Sequence, residues 1–91
     1  MPQIKLTLVN KDGLHARPAA LFVQTAARFQ SAVTVRNLAN NTGPVNAKAI
    51  LAVLTLGAEH GHEIEVAASG IDEDEALEAL RALVASGFRS A

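Results

Sequence analysis

Cysteine, tryptophan and tyrosine are missing from these 91 residues, and Phe22, Phe29 and Phe88 are the only aromatics. Without cysteine there can be no disulfide, no thiolate chemistry and no sulfur-ligated metal site. In so small a domain this suits a reducing compartment, so the cytoplasm is the expected location. With so few aromatics, Leu, Ile, Val and Ala must pack the core, and hydrophobic residues at 49 % supply enough of them. Excess charge is also missing: 8 Lys and Arg against 9 Asp and Glu leave a net charge of −1. That balance lacks the positive field nucleic-acid binding requires, and no nucleic-acid partner is expected. No apolar run approaches the ~20 residues of a membrane span, and Met1-Pro2-Gln3-Ile4-Lys5 lacks the apolar segment of a signal peptide. A soluble protein without membrane insertion is expected.

Ninety-one residues are one domain's worth, residues 1–91, burying roughly 60 to 65 % of the surface an unfolded chain exposes. From Gln3 to Val9, Ile4, Leu6 and Leu8 alternate with Lys5, Thr7 and Val9, the period of a half-buried strand. After the turn formers Asn10-Lys11-Asp12-Gly13, residues Ala19, Phe22, Val23, Ala26 and Phe29 recur at helical spacing, and Pro18 suits a first helical turn. Ala32–Leu38 alternates again, and Asn40-Asn41-Thr42-Gly43-Pro44 reads as a turn, leaving Val45-Asn46 as a brief third strand. Ala47–Leu56 reads as a helix ended by Gly57, Glu63–Ala68 as a fourth strand, and Asp72 with Glu75 as a capping box before Ala76, Leu77, Leu80, Leu83 and Val84, with Gly87 stopping the helix. The order is βαββαβα. It implies an α+β, open-faced sandwich, a four-stranded antiparallel sheet with three helices on one face.

His15 stands where the turn meets the first helix. There the N–H groups of Ala16 and Arg17 have no intrahelical acceptor, and a helix N-terminus of this kind holds anions. The Arg17 guanidinium would add a charge-assisted contact to any phosphate on the ring, and a neutral imidazole is a competent nucleophile at neutral pH. Such modest holding suits a carrier better than an enzyme, since a group to be handed on must not be trapped. A histidine at a helix start also has a plainer use, as an N-terminal cap.

The whole run Asp12-Gly13-Leu14-His15-Ala16-Arg17-Pro18-Ala19-Ala20, within the βαββαβα order, closely resembles the HPr family, phosphocarriers of the bacterial phosphoenolpyruvate-dependent sugar phosphotransferase system. The resemblance spans the chain and includes Val45-Asn46-Ala47-Lys48-Ala49-Ile50 and Leu56-Gly57 around the second helix. It implies that His15 accepts a phosphoryl group on its δ1 nitrogen from enzyme I, that Arg17 balances the phosphate charge and contacts partners, and that Pro18 helps fix the helix start. It implies IIA domains of sugar permeases as acceptors, a monomer and no cofactor. Two departures stand out. The position of the family's regulatory serine is Ala49, which has no hydroxyl, and the segment from Leu38 to Pro44 is longer than the family's usual turn.

The helix Lys48-Ala49-Ile50-Leu51-Ala52-Val53-Leu54 is apolar nearly all round, more than one buried stripe requires. The resemblance implies Val53 in the core, with Ile50, Leu51 and Leu54 outward as a docking patch. Ala20, Gln24 and Arg28 would extend it along the first helix and Lys48 would add charge at its edge. A more deeply buried helix is the alternative. His60 and His62 flank Gly61 and read as solvated turn residues rather than metal ligands, since no third ligand stands nearby. The acidic run Asp72–Glu75 reads as complementing a helix dipole. Two other functions stay open from residues alone: a regulatory module whose docking depends on phosphorylation, and an unrelated small-molecule-binding sandwich indifferent to His15.

Overall fold

Alternating apolar and polar side chains turn one face of a strand inward, and the strands of this chain share that face. The computed structural model describes residues 2–89. Its elements are β1 (Gln3–Thr7), α1 (Ala16–Ala27), β2 (Ala32–Asn37), β3 (Thr42–Asn46), α2 (Ile50–Leu54), β4 (Glu63–Ser69) and α3 (Glu73–Ala85). The four strands form one antiparallel sheet in the order β1-β4-β2-β3. Val33 and Val35 of β2 and Ile64, Val66 and Ala68 of β4 are buried, and the register places Val66 between Ile4 and Val35. The opposite face is polar, with Glu65 between Lys5 and Arg36. The three helices cover the apolar face: α3 packs on β1 and β4, α1 on α3, and α2 on α1 and β3. Phe22, Leu80, Leu8, Leu14 and Leu56 fill the space between them.

Five sequence expectations shift. β1 stops at Thr7 rather than Val9, because Leu8 exchanges backbone hydrogen bonds with the Gly61-His62 turn, its N–H donating to His62 and its carbonyl accepting from Gly61. β3 begins at Thr42, inside the expected turn. The true turn is Leu38–Asn41, and a bulge in the pairing sets Gly43-Pro44 opposite Arg36. Glycine is required there, since a Cβ on Gly43 would lie 3.0 Å from Arg36 Cα. The expected helix Ala47–Leu56 is only Ile50–Leu54, because the Ala47 N–H is claimed by Val33 of the sheet and Asn46 organises a turn by accepting from Lys48 and Ala49. Finally, Asp72 and Glu75 form no capping box: Asp72 makes no cap bond and its carboxylate instead accepts from the N–H groups of Gln30 and Ser31 and the Ser31 hydroxyl. Glu73 reaches back to the Gly70 N–H in Glu75's stead.

The stop at Gly87 follows from its left-handed φ of 70°. Gly87 donates to Val84 and Phe88 to Leu83, the paired bonds of a Schellman motif. Phe88 is buried beside them. No helix among the described residues is long and apolar enough to cross a membrane.

Candidate functional site

Gly13 brings the loop before α1 against a second loop, residues 58–62. A Cβ at Gly13, whose φ is +59°, would stand 2.4 Å from Ala58 O and 2.6 Å from Glu59 Cα. Asn10 closes the turn by accepting from the Gly13 N–H through its carbonyl and donating to Gly13 O through its amide. Leu14 is fully buried and donates to Ala58 O at 2.9 Å. His15 therefore leaves a pinned residue in an extended conformation, φ −127° and ψ 159°. Ala16, the first helical residue, follows at a left-handed φ of 51°, which costs a non-glycine residue about 1 to 3 kcal/mol.

The half-buried His15 ring makes no cap bond, so the plain capping role does not apply. Among the described residues the N–H groups of Ala16 and Arg17 have no partner, and Pro18 has no N–H to cap. The exposed Arg17 guanidinium is likewise unengaged. An imidazole, two unpartnered amides and an exposed guanidinium thus fall within three consecutive residues at one helix start. His15 and Ala16 also line a shallow cavity of 440 Å³, whose remaining walls are Lys11, Asp12, Glu59 and His60.

The residues of the expected docking patch divide between those placed as the sequence implied and those placed otherwise. Val53 is buried, while Leu51 is 77 % exposed and Ile50 and Leu54 are each 38 % exposed. Gln24 and Arg28 are exposed, but Ala20 is half-buried because it lies toward the packed side of α1. Lys48 does not stand free at the patch edge: its ammonium donates to Phe29 O at 2.7 Å, at the C-terminal end of α1 where carbonyls lack helical partners. Ala49 is the N-cap position of α2 and makes no side-chain cap bond. His60 is exposed, whereas His62 is no solvated turn residue. Its Nδ1 accepts from the Glu59 N–H at 3.1 Å and from the Asn37 amide at 3.2 Å. Asn37, fully buried, also donates to Leu56 O, as does Asn40. Sequence reading missed this network and the approach of Glu59 and His60 to His15, since both depend on contacts between distant segments; only Gly13 hinted at a close neighbour. Among the described residues no three His, Cys, Asp or Glu side chains are grouped to hold a metal.

The family model described as the PTS HPr component phosphorylation site matches residues 2–86, nearly the whole chain. The chain belongs to the HPr family. Phosphocarrier protein HPr of Pseudomonas aeruginosa is 42 % identical over 88 residues, covering 97 % of this chain and 96 % of that protein. The crystal structure of HPr-C-His from Thermoanaerobacter tengcongensis superposes with a TM-score of 0.92 at 43 % identity, covering 100 % of this chain and 99 % of the other. The multiphosphoryl transfer protein of Vibrio cholerae is 41 % identical over 79 residues, 87 % of this chain, and there the chain spans about a fifth (20 %) of the relative's length.

Proposed function

We propose that His15 is the phosphoryl acceptor, charged by enzyme I at the expense of phosphoenolpyruvate and discharged to IIA domains of sugar permeases, by a monomeric protein of the cytoplasm. The observation that carries this reading is the uncommitted imidazole beside two unpartnered amides at the start of α1. With the proton on Nε2, the Nδ1 lone pair attacks phosphorus. The new N–P bond forms as the donor's bond to phosphorus breaks, and that electron pair returns to the donor. The Ala16 and Arg17 N–H groups and the Arg17 guanidinium meet the transferred oxygens, whose charge a helix N-terminus favours. Delivery to a IIA domain is the same step reversed.

Ile50, Leu51 and Leu54, apolar and exposed on a helix packed against α1, serve as the docking face, with Gln24 and Arg28 along α1. Ala49 leaves a serine-directed kinase no hydroxyl at the family's regulatory position. Incubation with enzyme I and labelled phosphoenolpyruvate gives an acid-labile, base-stable adduct that His15→Ala loses. Equal labelling of that variant overturns the reading. Arg17→Ala accepts label about tenfold or more slowly, the scale of a lost charge-assisted hydrogen bond.

A further inference from the structure

The cavity beside His15 is oddly lined for a place that receives a phosphate. Two of its lining residues are the exposed acids Asp12 and Glu59, each beside a basic or imidazole neighbour in the chain, Lys11 and His60. None of these four side chains makes a hydrogen bond or ion pair among the described residues, so the acids are not neutralised by a fixed partner. The backbone that carries the two acids is nonetheless pinned. Asp12 precedes Gly13, whose missing Cβ admits the Ala58-Glu59 backbone, and the Glu59 N–H is itself held by His62 Nδ1. The same close approach that positions His15 thus keeps two acidic residues in the lining of its cavity.

We propose that Asp12 and Glu59 act as positioning charges that set the transfer potential of the phosphoryl group on His15. The idea rests on His15 being the acceptor. A phosphoryl group arriving on the ring brings about two negative charges into a cavity whose lining already carries two, with Lys11 the one lysine or arginine among its walls. Repulsion raises the free energy of the charged carrier and leaves the uncharged carrier untouched. The equilibrium for onward transfer is pushed toward the acceptor, while Arg17 and the helix amides keep the group from being shed to water. The acids touch no reacting atom; they act through the field at the phosphorus. Coulomb interaction of one exposed carboxylate with a dianion about one Debye length (~8 Å) away, screened at physiological salt, amounts to about a two- to fivefold change in equilibrium.

The test is the equilibrium constant for phosphoenolpyruvate plus carrier giving pyruvate plus phosphocarrier, with enzyme I present in catalytic amount so that its own affinity for the variants cancels. Asp12→Asn and Glu59→Gln each raise the charged fraction at fixed phosphoenolpyruvate to pyruvate ratio, by about two- to fivefold in the constant, and the gain shrinks in ~1 M salt. Asp12→Glu keeps the parental value. Asp12→Ser and Glu59→Ala, which remove the same charges with different shapes, behave as the amide variants do. A constant that is unchanged or lowered in the neutral variants, or a rise that salt leaves intact, overturns the proposal while His15 remains the acceptor. Failure of the parent chain to take label on His15 overturns both.

Discussion

Ala16 carries a backbone strain that its side chain does not require. At a φ of 51° a glycine would sit without penalty, so Ala16→Gly is expected to hold stability constant or raise it by up to about 1 kcal/mol, against the loss of similar size that glycine causes inside a helix. Urea denaturation measures the difference. Gly13 is the reverse case. Its left-handed φ coincides with a backbone contact a Cβ would overlap, so Gly13→Ala costs about 2 to 3 kcal/mol and slows phosphoryl acceptance by displacing Leu14 and His15 from the loop that holds them. At Asn37 the buried amide joins β2 to Leu56 and to His62; Asn37→Ala leaves buried groups unpaired and costs about 1 to 3 kcal/mol in the same measurement.

At the scale of elements, the links between helices and turns explain what each segment's own pattern does not. The start of α3 is tied to the turn after α1 by Asp72, whose carboxyl is held below the ordinary carboxylate range first by the Ser31 hydroxyl and then by the Gln30 N–H. A carboxyl whose folded value is depressed stabilises the fold above its unfolded value near ~3.9 and loses that contribution as pH falls through the folded value. Acid titration of Asp72→Asn is therefore expected to show a weaker loss of stability below about pH 4 than the parent. The short helix α2 divides its roles by residue. Leu51→Ser, at an exposed position, changes stability by no more than about 0.5 kcal/mol, while raising the KM of enzyme I for the carrier several-fold if Leu51 docks partners as proposed. Val53, on the same five-residue helix, belongs to the core.

On the scale of the whole molecule, one aliphatic core serves all seven elements, with Phe22 its largest fully buried side chain. Phe22→Ala removes the α1 ring from that core and is expected to cost about 3 to 5 kcal/mol, a large share of the stability of a domain this size. Because that core is shared, loss is felt everywhere: fluorescence-independent probes such as far-ultraviolet circular dichroism and amide exchange of β4 should shift together.

The alternation in Ile4, Leu6 and Leu8, in Val33 and Val35, and in Ile64 and Val66, together with the stripes of α1 and α3, marked five of the seven elements in order, since side-chain period follows directly from backbone geometry, while β3 and α2 were placed by the turn formers beside them. The run around His15 was legible for a similar reason, being local and contiguous. Element ends were less so. The truncation of the second helix came from Val33 claiming the Ala47 N–H, the early start of β3 from pairing across a bulge, and the displaced cap from Ser31 claiming Asp72. Each is a competition for a hydrogen-bonding group won by a partner far along the chain, which no local window contains. Sequence alone determined that a histidine opens the first helix beside Arg17. Only tertiary structure decided that its ring stays uncommitted and that Asp12, Glu59 and His60 share its cavity, because those neighbours are brought together by the close approach that Gly13 permits.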